Sequence, residues 1–158
     1  MKRITHIITS ILALAVTGCT TVNTTSSDGA TTTTRELDWN TINHMGKLAV
    51  KYATKAILDN NPGYAPSIEA VSAGLYGILS GEPSDENIGA GIAEIAPDIP
   101  PGDVATLAAA IKDGVDLYLA KSGHSVILDD NGRVQALISA LSEGIKEGIT
   151  LHKAATRS

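Results

Sequence analysis

Phenylalanine is absent from this 158-residue chain, aromatic residues make up 3% of it, and cysteine and tryptophan each occur once. Each shortage excludes something. With one cysteine there is no disulfide within the chain. With so few aromatics a core cannot be filled by large rings, so it must close by bringing backbones near one another. No basic patch is interleaved with aromatics, which argues against a nucleic-acid partner. The histidines at 44, 124 and 152 show no metal-ligand spacing, and none lies beside a cysteine pair. There is no G-x-S-x-G or S-x-x-K signature of a serine nucleophile. Asp129-Asp130-Asn131-Gly132 looks like part of a calcium loop. With Gly132 at position six, however, Ile127 and Ile138 would fall at positions one and twelve, and neither offers a side-chain oxygen. No cofactor or metal site is therefore expected.

What is present begins at the amino end. Lys2 and Arg3 precede a largely apolar run from Ile4 to Val16, and small residues Thr17 and Gly18 lead to Cys19. A basic start, a short apolar run and a small-residue site make an export signal. The run is shorter than the roughly 20 residues that cross a bilayer. Val16-Thr17-Gly18-Cys19 resembles the lipobox of bacterial lipoproteins, and the resemblance covers residues 1–19 alone. It implies cleavage before Cys19, a lipid on the Cys19 thiol, and acylation of the new amine. Val16, Thr17 and Gly18 would be the residues read by the signal peptidase. Two or three acyl chains hold a protein stably at a membrane, whereas one does so only marginally. Thr20 stands where an aspartate would favour inner-membrane retention in enteric-type bacteria. The resemblance thus implies an outer-membrane lipoprotein facing the periplasm, if the source is Gram-negative.

Three segments follow: a signal peptide over 1–18, a lipidated cysteine and tether over 19–36, and a domain over 37–158. Removal of the first eighteen residues takes Lys2 and Arg3 with it and moves the net charge from −5 to −7. Eight threonines crowd the fifteen residues from Thr20 to Thr34. Without apolar alternation the tract reads as a disordered tether.

The domain reads as all-α, a compact bundle of about five helices. Asp38 suits an N-cap, and Ile42, Met45, Ala49, Tyr52, Ala53, Ala56 and Ile57 recur at helical spacing until the breaker Asp59–Gly63. Pro66-Ser67 opens a second helix along Ile68, Val71, Leu75, Ile78 and Leu79. Ser84 or Asp85 caps a short third through Ile88, Ile92 and Ile95. Asp103 is expected to cap a fourth along Val104, Leu107, Ala108, Ile111, Val115 and Tyr118, closed at Ser122-Gly123. In HSVILDDNGRV, Ser125–Leu128 favours extended backbone and Asp129–Gly132 reads as a turn, so an extended crossing segment is expected, with Asp130 or Asn131 capping a last helix from Val134 to about Lys153. Ile111–Tyr118 (IKDGVDLY) matches Ile145–His152 (IKEGITLH), which suggests a duplicated helix unit. Gly74, Gly77, Gly114, Gly144 and Gly148 fall inside these helices, each costing roughly 1 kcal/mol against alanine. Close helix–helix approach is the expected return.

Function is less legible. Between Asp59 and Asp130 there are twelve acids against two bases, while the first and last helices are mildly basic. The acidic middle could face a basic partner or divalent cations. Lys47, Lys51 and Lys55 form an exposed basic stripe and are the candidate partner contact. The expected role is a membrane-anchored envelope lipoprotein, held through the lipid on Cys19. Its non-catalytic helical domain would bind an envelope protein or a second copy of itself. Two alternatives are a carrier of a small apolar ligand, and a peptidoglycan-active enzyme using Glu69 or Glu94.

Overall fold

The computed structural model describes residues 19–25, 31–123 and 132–156. The proposed signal, including Val16, Thr17 and Gly18, lies outside the described residues, as do the expected extended stretch Ser125–Leu128 and all of the expected turn before Gly132. The described residues fold as an all-α bundle of five helices, preceded by a two-stranded hairpin. The chain divides into two compact units, 1–42 and 43–158.

In the first unit, β1 (Cys19–Thr25) pairs antiparallel with β2 (Thr31–Leu37). Cys19 lies opposite Leu37, Val22 opposite Thr34, and Thr25 opposite Thr31. This corrects the expectation of a disordered tether. All eight threonines of the tract fall in these strands, and branching at Cβ restricts χ1 and favours extended backbone. Asp38 then caps α1 (Trp39–Asn60), accepting a hydrogen bond at Oδ1 from the Thr41 N–H at 2.7 Å.

The second unit holds the rest of α1 and four more helices. α1 stops at Asn60, and Pro62–Tyr64 forms one 3-10 turn. α2 (Ala65–Ile78) follows, then α3 (Asp85–Ile95), where the Ser84 hydroxyl accepts from the Asn87 N–H at 3.1 Å. α4 (Pro101–Ser122) begins three residues earlier than a cap at Asp103 would place it. Pro101 already has the helical φ and lacks only an N–H that would go unpaired there. Asp103 is therefore not the cap; it sits in the first turn, where its charge suits the positive end of the helix dipole. Gly123 ends α4 at φ 73°, a left-handed position that glycine takes without a Cβ clash. α5 (Arg133–Ala155) starts from Gly132, also left-handed at φ 77°. Gly132 thus holds the cap position expected for Asp130 or Asn131.

α2 packs on α3 and α5, α3 on α4, and α4 on α5. The buried apolar residues are nearly all aliphatic, including Ile57, Leu58, Ile68, Leu75, Leu107, Ile111, Leu137 and Leu141, with Tyr118 the one large ring. The expected faces of α2, α4 and α5 agree with burial, apart from Ile78 and Ile138, which are only partly covered. Three further expectations fail. The buried stripe of α1 runs through Met45, Gly46, Val50, Thr54, Ile57 and Leu58, so Tyr52 and Ala56 are rotated outward and exposed. Ile95, at the end of α3, is also exposed.

Close approach is where the small residues act. The backbones of α1 and α4 nearly touch at Gly46 and Gly114; a methyl on Gly114 would lie 3.0 Å from the Gly46 Cα and 3.0 Å from Leu141 Cδ2. α1 and α5 run side by side in parallel. A methyl on Gly144 would fall on the Lys47 carbonyl oxygen, and one on Gly148 would lie 2.5 Å from the Lys51 carbonyl oxygen and 2.7 Å from Thr54 Cβ. Gly77, by contrast, has open space beside it, so packing does not explain that glycine.

These distances set opposite outcomes for one substitution type. Gly148→Ala is expected to lower the unfolding free energy by about 1–3 kcal/mol through overpacking. Gly77→Ala should leave it unchanged or raise it by up to about 1 kcal/mol. Urea denaturation followed by helical circular dichroism checks both, and a Gly148→Ala protein as stable as the parent would contradict the seam.

Candidate functional site

The three lysines of the proposed basic stripe share one face of α1, but that face is turned along α5. Lys47 Nζ lies 3.0 Å from Glu143 Oε2 and 2.7 Å from Glu147 Oε1. Lys51 Nζ lies 2.8 Å from Glu147 Oε2. Lys55 pairs with Asp59, one turn further along α1. All three lysines are only partly exposed. The reading of an exposed basic stripe is corrected: its charge is met within the chain, by carboxylates 96 residues away in sequence at Glu143 and Glu147 and by Asp59 nearby.

The ladder has a simple origin. Lys47 and Lys51 are four residues apart, as are Glu143 and Glu147, and as are Gly144 and Gly148. Residues four apart lie on one helix face. The two glycines let α5 settle on the carbonyls of Lys47 and Lys51, and the glutamate before each glycine then meets the lysine side chains. Glu147, bridging Lys47 and Lys51, has its pKa lowered to about 2, chiefly by its hydrogen bonds to Lys47 and then Lys51. The two glutamates raise Lys47 above its ordinary value, Glu147 contributing more than Glu143.

A second polar cluster closes the end of this seam. His152 on α5 is buried, and its Nδ1 lies 3.0 Å from Asp59 Oδ1. Asp59 is held below its ordinary pKa, first by Lys55 and then by His152. His152 corresponds to Tyr118 in the internal match, and both are buried, as are Ile111 and Ile145. The matched glycines, Gly114 and Gly148, both face α1. One more polar contact joins helices, between the hydroxyls of Ser72 on α2 and Ser142 on α5 at 2.7 Å.

Elsewhere the acids are not so balanced. On α4, Lys112 pairs with Asp116 at 2.6 Å. Asp113 is nonetheless raised above its ordinary pKa, first by burial and then by Asp116 and Asp85. Among the described residues no group of three or more histidine, cysteine or acidic residues could hold a metal ion. His44 is exposed, and His124 lies outside the described residues. Glu69 on α2 and Glu94 on α3 are both exposed. Cys19 opens β1, directly across from Leu37. Among the described residues no helix is long and apolar enough to cross a membrane.

No protein-family model matches this chain, and no curated protein or solved structure matches it either.

Charge pairing gives this seam a pH dependence of known sign. Glu147 falls from 4.5 in the unfolded chain to about 2 in the fold. Its contribution is therefore complete above pH 4.5 and is lost as pH falls from there towards 2. The Glu147 side chain is 42% exposed, so solvent screening limits the contribution to under about 1 kcal/mol. Glu147→Gln should flatten the acid limb of stability against pH, and salt at about 1 M should shrink the difference from the parent. Chemical denaturation at pH 7, 4 and 3, with and without salt, reads both effects.

Proposed function

We propose that this protein is a lipid-anchored envelope lipoprotein whose helical domain serves as a non-catalytic interaction or structural module. The observation that carries the reading is the run Val16-Thr17-Gly18-Cys19, set behind a basic start and a short apolar stretch. Cys19 is the chain's one thiol, and its lipidation would leave the mature protein without thiol chemistry. The anchor is thus the membrane itself, reached through the acyl groups on Cys19, and in a Gram-negative source it is the periplasmic face of the outer membrane.

The domain's chemistry supports a structural role. Lys47, Lys51, Glu143 and Glu147 bind one another, and so do Lys55, Asp59 and His152. Groups held this way fix the fold rather than act on a substrate. The lysine stripe is consequently a poor partner surface. The acidic α3–α4 region, where burial and then the charges of Asp116 and Asp85 raise Asp113 above its ordinary pKa, suits a basic envelope partner better. Carriage of an apolar ligand is the weaker reading, because Gly46, Gly114, Gly144 and Gly148 bring helices into contact instead of holding a cavity open between them.

In a lipidating bacterial host, Cys19→Ala is expected to move the protein from the membrane fraction to the soluble or unprocessed pool. Intact mass spectrometry of the parent should show a chain beginning at Cys19 and carrying acyl mass. A parent chain of unmodified mass that fractionates like the variant would refute the anchor. Crosslinking in the same cells, with Cys19→Ala as the control, should recover a specific envelope neighbour.

A further inference from the structure

The hairpin alters what an anchor at Cys19 would do. Asp38 lies nineteen residue steps after Cys19, and as a flexible coil such a length spans roughly 25 Å on average. Fully extended it would reach about 65 Å. A domain on that coil would stand away from the bilayer and turn freely. The observed pairing removes most of that reach. Cys19 lies directly opposite Leu37, and facing residues of an antiparallel ladder have Cα atoms about 5 Å apart. Leu37 is two residues before Trp39, the first residue of α1. The chain leaves the anchor, turns back over seven paired positions, and returns to its starting point just where the helix begins.

We infer that the hairpin is a short mount, which holds the first turn of α1 at the headgroup layer of the membrane that receives the Cys19 lipid. The inference rests on the lipoprotein reading of Cys19. Its own content is the register: Cys19, the acyl groups it carries and Leu37 share one end of the hairpin. The interfacial layer of a bilayer is several ångströms deep on each side of the hydrocarbon, which matches one strand spacing plus a short rise along the helix. Trp39 stands at that level, and tryptophan is the side chain most at home there, with an apolar body and a polar N–H. Asp38 does not oppose the arrangement, because its carboxylate is already engaged by the Thr41 N–H. The partner of this end of the molecule is thus a lipid surface, met by α1 and not by the acyl chains alone.

Trp39 is the chain's single tryptophan, so its emission reports this position without labelling. The lipidated full-length protein, purified from its host membrane, is reconstituted into vesicles of phosphatidylethanolamine and phosphatidylglycerol containing nitroxide-headgroup phosphatidylcholine. Quenching of Trp39 relative to nitroxide-free vesicles is the expected result. Thr33→Pro with Thr34→Pro should abolish that quenching. Successive residues of a strand alternate in donating to the partner, so one of the two prolines must strike a ladder bond. Unchanged helical circular dichroism would show that the bundle of the variant is intact. Protein that floats with the vesicles but shows no quenching overturns the mount and leaves the anchor standing. Equal quenching in parent and double-proline variant also overturns it, since contact would then not depend on the hairpin. Protein without acyl mass that fails to float overturns the anchor, and the mount with it.

Discussion

The fold depends on the backbone contact between α1 and α5. With glycine at the contact positions no side chain stands between the two helices, and their backbones come together. Gly144 and Gly148 rest on the carbonyls of Lys47 and Lys51, where any Cβ would collide. Helices packed so closely gain dispersion contacts along the whole backbone, which offsets the helix-weakening cost of glycine. The contact also sets the register. A slide by one residue would bring a side chain onto a carbonyl, so the glycines permit one alignment of the two helices. Gly46 and Gly114 repeat the device between α1 and α4, and α1 is thereby seated against two neighbours by the absence of side chains.

Charge follows from that register. Once Gly144 and Gly148 are placed, Glu143 and Glu147 have no choice but to stand beside Lys47 and Lys51. The ion pairs do not draw the helices together with much force, because each is partly solvated. Their value is in specificity. In a slipped or reversed packing, α1 would leave its lysines without acids and α5 its glutamates without bases. His152 and Asp59 perform the same office at the far end of the seam, where a buried ring needs a polar partner for its nitrogen.

Much of this was legible in the sequence, and the unreadable parts share a cause. Helix ends were readable because they are local: Asp38, Ser84 and Gly123 act within a few residues of themselves. The need for close approach was readable from five glycines inside helical patterns, although Gly77 turned out to face open space. The fate of the lysine stripe was not, since its partners lie on another helix 96 residues on. The matched four-residue spacing of Lys47-Lys51 and Glu143-Glu147 was visible, but spacing alone does not say which helices touch. Tyr52 was misplaced because an alanine-rich helix offers several nearly equal apolar stripes, and the neighbours select among them.

The hairpin escaped for a different physical reason. Strand recognition from alternation detects a sheet with one buried face, and this one has threonine on both. What drives it is the extended-backbone preference of β-branched residues together with seven consecutive paired positions. Such a ladder is marginal when it stands alone in water. A fixed attachment at its Cys19 end would alter that balance, because anchoring one strand limits the unfolded alternatives of the pair without changing a contact in it. On that argument the threonine tract and the lipid attachment proposed at Cys19 would act together. The tract would give that anchor a defined geometry, the anchor would favour the geometry of the tract, and the first turn of α1 would inherit its position from both.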